Sequence, residues 1–472
     1  MPLPEWTPMV GGEGAGPLPL PPAPGNAAWS GARERELPLA EAERRVHAEI
    51  RALGWRSRYR VLDEDEPTAT QCELWHSDGT EVPYGLGSGK GLSAPARVGA
   101  QFEALEHALS GPLVFDSLPV RLCDAADLLS GPFGADRAVR DAARQPGARL
   151  ACLRHSALDG GPDFDVPLFL WAPWYPVPTP GMLERRSRLG DTADYRSMLS
   201  YSVNTGCAIG ATDDEALLHA LNEWAERDAF SLFLLCGVYD RGPMPARIPR
   251  EALPGFLRER LDRAAAVVGG PVVLLDLTTD LGVPVVMAYA PALAGSSARY
   301  YGLGASLSGE TAVERAVTEF VQGELLAGVV AEHAAAPRER PARRPAERPT
   351  FDQVVAEHDI AAAVRERLAG HPRLLACAHL DFADRLADAP VAGVPPETVP
   401  PGTPVARQRA AVVERIAAAG HRVAAHRLAV LEHGTTVVQV QCPGLERFHL
   451  ITKGHLALPG ERGRRLRARD RV

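Results

Sequence analysis

The stretch that most constrains the fold is residues 202–236, SVNTGCAIGATDDEALLHALNEWAERDAFSLFLLC, where a glycine-spaced turn leads into a helical pattern. Glu223 and Glu226 are three residues apart, so they share one face of the predicted helix. Apolar residues such as Leu217, Leu221 and Trp224 fill much of the remaining surface. The two carboxylates are therefore predicted to point into the protein or a cleft, where they need a positive partner.

Two further stretches repeat this arrangement of glycines followed by a helix with a polar pair three residues apart. One contains GLGSGKG with Lys90 and the pair Glu103 and Glu106; the other contains YYGLGASLSGE with the pair Glu319 and Gln322. Any one such pair is typical of a solvated helix face, but three together favour a shared site. Carboxylates brought together raise one another's pKa unless a divalent cation neutralises them. Magnesium is the natural candidate, because it takes hard oxygen ligands and shares its coordination with nucleotide phosphates.

In this order, the three stretches resemble motifs of the YcaO family. The matching patterns are SGKG followed by A-x-x-x-A-x-x-E-x-x-E, then E-A-x-x-x-A-L-x-E-x-x-E-R-D up to Asp228, then R-A-x-T-E-x-x-Q from Arg315 to Gln322. The resemblance runs from about residue 40 to Gly444, where VQCPGLE is similar to a late P-G-L-E segment. It implies an α+β protein with a YcaO-like fold and a central cleft for ATP and magnesium. It also implies an enzyme that phosphorylates peptide backbone amides.

The resemblance implies roles for individual residues by motif position. The implied magnesium ligands are Glu103, Glu106, Glu223 and Glu226. The implied contacts to ATP are Lys90, Glu215, Arg227, Arg315, Glu319 and Gln322, with Lys90 and Arg227 placed at the phosphates. Phosphoryl transfer depends mainly on positioning and charge neutralisation, so the reaction needs no nucleophile–base pair from the protein.

The chain divides into three segments by composition. Residues 1–38 form a Gly/Pro-rich arm that we expect to be flexible, because it offers too little apolar surface to order itself. Residues 39–457 form the YcaO domain, interrupted by an exposed Pro/Arg-rich loop at 337–350. Residues 458–472 form an Arg-rich tail that we expect to face solvent. The helix, strand, turn, strand order of residues 257–290 recurs in residues 412–444, which predicts an internally duplicated helix-on-sheet unit.

Charge and cysteine content exclude several classes of protein. A net charge of −8 and a pI near 6.0 argue against a nucleic-acid partner. The seven cysteines are scattered without a C-x-x-C pair, which favours a reducing cytoplasm over a disulfide framework or a zinc site. No stretch approaches the roughly 18 apolar residues of a membrane span, so we expect no membrane partner.

The function predicted first is the cyclodehydration of Cys, Ser or Thr in a ribosomally made precursor peptide to azolines. Formation of a thioamide or an amidine is the enzymatic alternative, since family members use the same activation for those products. The resemblance does not extend to the P-x-P-x-P ending of many azoline-forming members. A non-catalytic scaffold subunit is the alternative from another class, although a scaffold has no need for so many like charges together.

The expected partners follow from the same features. The arm before residue 39 is shorter than the roughly 50 residues that a domain needs to build a core, so we expect a separate protein to bind the leader of the precursor peptide. The sequence leaves a homodimer open.

Overall fold

The computed structural model describes residues 7–9, 33–293, 301–335 and 366–469, which fold into antiparallel sheets covered by helices. The strands are β1 Thr7–Met9, β2 Trp55–Val61, β3 Thr68–His76, β4 Glu81–Gly91, β5 Arg121–Asp124, β6 Arg149–Ala157, β7 Phe164–Pro167, β8 Cys207–Gly210, β9 Ala246–Ile248, β10 Val273–Asp276, β11 Val285–Tyr289, β12 Tyr301–Ala305, β13 Ala424–Val430 and β14 Thr436–Gln441. The helices are α1 Leu39–Ala52, α2 Ser93–Ser110, α3 Arg137–Ala143, α4 Pro180–Leu189, α5 Asp213–Leu232, α6 Gly255–Val268, α7 Gly309–Ala335, α8 Pro372–Ala378, α9 Val405–Ala418 and α10 Glu461–Arg469. The predicted α+β class is therefore confirmed.

The described strands pair into three sheets. The first has the order β1-β2-β3-β4, the second β12-β11-β10-β9, and the third β5-β6-β13-β14-β8 with β7 added on β6. Antiparallel registers such as Thr70 opposite Gly89 and Val286 opposite Gly304 fix which strand residues face the covering helix. Strands β4, β8 and β12 each lead directly into α2, α5 and α7, so the three sequence motifs form three strand–helix units.

The glycines of these motifs lie in strands and pack against the following helix. A Cβ atom at Gly89 would overlap the backbone of Ala96 in α2, and one at Gly304 would overlap the backbone of Ala312 in α7. The absence of a side chain at Gly89 and Gly304 is therefore needed for the close packing of each helix on its strand. Close packing sets each helix directly beneath its strand and fixes where the helix presents its polar residues.

Apolar burial holds the helices in place. Helix α5 buries Leu218, Leu221 and Trp224 against α9 and β14, and α7 buries Val317 and Phe320 against α6 and the second sheet. Helix α5 begins at an N-cap, where Thr212 accepts a hydrogen bond from the Glu215 amide at 3.3 Å. Because its inward face is apolar, the helix turns Glu223 and Glu226 toward the space between the three units.

The two ends of the described chain differ from prediction. Residues 33–38, assigned to a flexible arm, are placed against the domain, with the Glu34 side chain only 3% exposed. In the tail, assigned to solvent, Arg462 is 8% exposed and pairs with Asp228 of α5. Both corrections have one cause, since each segment carries a charged group that matches an opposite charge buried in the domain.

Three other expectations stand as follows. The loop predicted at 337–350 lies outside the described residues. Helix α6 with β10 and β11, and helix α9 with β13 and β14, each form the predicted helix followed by an antiparallel strand pair; their origin by duplication stays a prediction. No helix within the described ranges combines the length and apolar character needed to cross a bilayer.

Candidate active site

A cleft of about 470 Å³ opens between the three strand–helix units. This volume lies within the range of about 300–1,000 Å³ that is usual for small-molecule sites. All ten residues predicted as magnesium ligands or ATP contacts line it: Lys90, Glu103, Glu106, Glu215, Glu223, Glu226, Arg227, Arg315, Glu319 and Gln322. The structure thus brings the predicted set together, from parts of the chain up to 232 residues apart (322 − 90).

Helix α5 supplies two carboxylates and the cation between them. Glu223 accepts a hydrogen bond from the Gly206 amide at 3.0 Å. The Arg227 guanidinium lies 3.7 Å from Glu223 and 3.5 Å from Glu226. Burial raises the pKa of Glu226 to about 7, opposed by Arg227 and reinforced by Glu319. A carboxylate this close to neutrality at pH 7 lacks sufficient positive charge nearby.

Helix α2 supplies the second pair. Glu106 accepts a hydrogen bond from the Ile209 amide at 3.0 Å, which joins α2 to β8. Burial raises the pKa of Glu106 well above its usual range, and the neighbouring carboxylates of Glu103 and Glu223 raise it further. Burial also raises the pKa of Glu103, against the effect of His107 and Lys90. The carboxylates of α2 and α5 therefore repel one another across the cleft.

Helix α7 connects the cleft to β4. Its Glu319 accepts from the Lys90 ammonium at 2.6 Å, and its Gln322 donates to the carbonyl oxygen of Ser88. The extended conformation of β4 places Lys90 and Ser88 two residues apart on the same strand face. The predicted phosphate contact Lys90 is thus held by a carboxylate of the same site.

The donor set of the cleft fits magnesium. Among the residues that the structure describes, no three His, Cys, Asp or Glu side chains already converge as a metal cluster. The carboxylates are instead held apart by the Gly206 and Ile209 amides and by Arg227. The raised pKa values of Glu106 and Glu226 come from burial and from neighbouring carboxylates, an effect that a divalent cation bound to hard oxygen ligands would relieve.

Two of the predicted ATP contacts are occupied by other parts of the chain. Glu215 accepts from the Ala211 amide at 3.0 Å and from the Glu36 amide, so it holds the turn before α5 and the segment 33–38. Arg315 donates to the Ala305 carbonyl oxygen at 2.7 Å and pairs with Glu34 at 2.7 Å.

Several residues of the site could not be identified from sequence motifs. Asn222 lines the cleft from α5, directly before Glu223, and it donates to Glu34 at 3.1 Å. Its one available signal is that it is an amide within a largely apolar helical stretch. Arg35 and Leu37 also line the cleft, and no signal in the Gly/Pro-rich arm distinguishes them from their neighbours.

Comparison with known proteins agrees with this geometry. A family model described as YcaO cyclodehydratase, ATP- and Mg²⁺-binding, matches residues 88–446. A curated but uncharacterized protein of Methanothermobacter thermautotrophicus is 37% identical over 127 residues. That match covers 26% of this chain and 31% of the relative, so the similarity spans about a third of the relative's length.

Solved structures of low identity share the fold. YcaO from Methanopyrus kandleri, bound with AMPPCP and Mg²⁺, is 20% identical with a TM-score of 0.57, over 90% of this chain and 95% of that one. A heterocyclase in complex with substrate and cofactor is 17% identical with a TM-score of 0.57, over 87% of this chain and 52% of that one. A chain of the E. coli microcin synthetase McbBCD complex is 13% identical with a TM-score of 0.52, over 83% of this chain and 88% of that one.

The match to the family model covers well over half of the sequence and runs from the end of β4 through α2 and the whole of the other two strand–helix units. The description of that family names ATP and Mg²⁺, which confirms at the level of the family the two cofactors predicted from the sequence. The three motifs lie in the matched order around one cleft, as the resemblance implies. This chain belongs to the YcaO family.

Proposed function

We propose that this protein is an ATP- and Mg²⁺-dependent enzyme that phosphorylates backbone amides of a ribosomally made precursor peptide, cyclising Cys, Ser or Thr residues to azolines. One observation carries the proposal. Six glutamates and three cations of the predicted set, drawn from three strand–helix units, surround a single cleft in a chain of the YcaO family. A scaffold subunit would gain nothing from burying these like charges together, which raises the pKa values of Glu106 and Glu226.

The proposed roles follow from position in the cleft. Glu103, Glu106, Glu223 and Glu226 would hold magnesium through hard carboxylate oxygens. Bound Mg²⁺ would neutralise phosphate charge and orient the triphosphate. Lys90 and Arg227 would meet the phosphates, because both lie between carboxylates and carry the flexible or forked donors that bind such groups.

The proposed reaction consumes one ATP for each ring. The Cys, Ser or Thr side chain adds to the preceding carbonyl carbon and loses its proton, and the former carbonyl oxygen takes the γ-phosphoryl group, which releases ADP. The phosphorylated oxygen then leaves as phosphate, the nitrogen loses its proton, and a carbon–nitrogen double bond closes the azoline. Peptide and ATP thus become azoline, ADP and phosphate, and the oxygen of the lost water ends in phosphate.

The substrate and partner are part of the proposal. A heterocyclase in complex with substrate and cofactor, and the E. coli microcin synthetase McbBCD complex with pro-MccB17 bound, share this fold. We infer a precursor peptide as the substrate here, delivered by a separate leader-binding protein. The seven cysteines are all free thiols, which supports a reducing compartment and hence the cytoplasm.

The test is a reconstitution with the full chain, ATP, Mg²⁺ and the precursor peptide encoded beside its gene, with the leader-binding partner added in a parallel reaction. Intact mass should show loss of water for each ring, with equal amounts of ADP. A gain of sulfur in place of oxygen would assign thioamide formation instead. An unchanged peptide under all conditions would overturn the enzymatic proposal.

Substitutions on α5 test the site itself. Glu223→Gln and Glu226→Gln should each abolish peptide-dependent release of phosphate while the fold is kept. Asp213→Asn is the matched control, because Asp213 lies on the same helix but pairs with the exposed Arg427 away from the cleft. If both glutamine variants turn over ATP like the parent, the assignment of these carboxylates is wrong.

A further inference from the structure

The buried carboxylate of Glu34 meets donors from three different elements. One oxygen accepts from Asn222 of α5 at 3.1 Å and from Arg315 of α7 at 2.7 Å. The other oxygen accepts from the Ser306 hydroxyl, directly after β12. Only 2% of Glu34 is exposed, so the carboxylate is enclosed by these donors.

Such a set of converging donors is the recognition pattern of an anionic oxygen group. An arginine, an amide and a hydroxyl aimed at one point can bind a carboxylate or a phosphate equally well. Asn222 and Arg315 also line the ATP cleft, so the donor set borders the space assigned to the nucleotide. Ser306 holds the turn into α7 by accepting from the Ser308 amide at 3.1 Å.

The residues beside Glu34 fasten it over this position. Arg33 donates to Ser308 at 3.0 Å and pairs with Glu310 and Glu397, both at 3.1 Å. On the other side, the Glu36 amide donates to Glu215. The segment 33–36 is therefore anchored at both ends, with its acidic side chain directed into the donor set.

We infer that the donor set of Asn222, Ser306 and Arg315 is a phosphate-binding position, and that Glu34 occupies it as a built-in competitor of the nucleotide. The inference rests on the proposed function, since it concerns the same cleft. A triphosphate and a carboxylate cannot share one guanidinium end at hydrogen-bonding distance without strong repulsion. Nucleotide binding must therefore displace Glu34. The measured affinity for the nucleotide is lowered in proportion to the fraction of molecules in which Glu34 has left the donor set.

The test measures the affinity of the full chain for AMPPCP with Mg²⁺ by titration calorimetry. Glu34→Gln keeps the side-chain shape but removes the charge, so it should tighten binding by about tenfold or more. Glu36→Gln is the matched control, because Glu36 lies on the same segment and its carboxylate accepts from Thr212, not from Arg315. In an Arg315→Gln background, Glu34→Gln should lose its effect, because the shared cation is gone.

A measurement on the unmodified chain gives an independent result. Saturating AMPPCP with Mg²⁺ should speed hydrogen exchange of the amides at residues 34–36, because the displaced carboxylate no longer fixes the segment. Slower exchange there, or equal or weaker binding by Glu34→Gln, would overturn the inference and leave the proposed function standing. Absence of nucleotide binding by both the parent and Glu34→Gln would sink the proposed function together with this inference.

Discussion

Replacing Arg462 with alanine should destabilise the protein strongly, although this arginine belongs to a segment that its composition marks as a solvated tail. The Arg462 Nε lies 2.9 and 3.0 Å from the two carboxylate oxygens of Asp228, and its Nη1 lies 3.1 Å from Asp280. The Asp228 side chain is 0% exposed and Arg462 is 8% exposed. Without the guanidinium, Asp228 would retain one backbone donor, the Glu446 amide at 2.8 Å.

The size of the effect follows from burial. Removing one partner of a buried ion pair typically costs about 3–5 kcal/mol, because a charge is left in an environment of low polarity. Arg465→Ala is the matched control, since Arg465 lies on the same helix and pairs with the exposed Glu461. Exposed pairs of this kind contribute no more than about 0.5 kcal/mol.

The loss should depend on pH in a defined direction. Burial raises the pKa of Asp228 to about 6, with Arg462 opposing the rise. Because this pKa is raised, the folded protein holds the proton of the Asp228 carboxyl more tightly than the unfolded chain does. The contribution of Asp228 to the free energy of unfolding therefore falls as pH rises from the ordinary pKa of an aspartate toward 6. Without Arg462 the pKa should rise further and the fall should continue to higher pH. The destabilisation is therefore larger at about pH 8 than at about pH 5.

Urea unfolding of the parent, Arg462→Ala and Arg465→Ala at both pH values measures the effect. Adding Asp228→Asn to Arg462→Ala should restore part of the lost free energy of unfolding, because the amide removes the unpaired charge and can still accept from Glu446. A loss in Arg462→Ala no larger than in Arg465→Ala would refute the reasoning. A loss that does not vary with pH would show that packing, and not the charge of Asp228, is responsible.

Three further predictions concern the cleft and its supports. Glu226→Gln should raise the free energy of unfolding of the nucleotide-free protein by about 1–3 kcal/mol at about pH 8 and leave it unchanged below about pH 4.5, because the folded-state pKa of Glu226 is raised to about 7. Urea titrations of the parent and the variant at both pH values measure this. An equal change in the free energy of unfolding at both pH values would contradict it. Lys90→Met should weaken binding of AMPPCP with Mg²⁺ by about tenfold or more, measured by calorimetry, because it removes a phosphate partner. Unchanged affinity would show that Lys90 does not contact the nucleotide. Gly302→Ala should lower the free energy of unfolding by about 1–3 kcal/mol, because a Cβ there would overlap the α7 backbone. Gly270→Ala should be tolerated, because the nearest atom to a Cβ there lies at 3.8 Å. Equal denaturation midpoints for the two variants would contradict the packing argument.

The motif residues were predictable because their chemistry is written in local spacing. Glu223 and Glu226 stand three apart on an amphipathic helix, and the repeated glycine–helix pattern indicates that Glu103 and Glu319 belong to the same site. The structure places all of them in one cleft. Spacing alone could not give the function of Gly89 or Gly304, because the same residue serves a close ligand approach and a close helix approach.

Contacts between distant segments were beyond prediction for a physical reason. Arg462 lies in a run of arginines that resembles a solvated charge run, and only the fold shows that Asp228 is buried where this arginine can reach it. Glu34 likewise lies in a segment whose composition predicts disorder, yet its carboxylate meets three donors, and its neighbours Arg33 and Glu36 make further contacts with the domain. Composition averages over residues, whereas a few matched contacts of charged groups can fix a segment.

The helix that carries the central carboxylates is braced by the two segments whose order the sequence failed to predict. At its first turn, Glu215 accepts from the Glu36 amide, and two residues beyond Glu226 the buried Asp228 is held by Arg462. Glu223 and Glu226 lie between these two attachments. The nearby carboxylates of Glu319 and Glu223 add to the effect of burial in raising the pKa of Glu226, so the helix that carries these like charges needs contacts outside the cleft to stay in place. The segments 33–38 and 461–469 therefore brace α5 on either side of the stretch that carries Glu223 and Glu226.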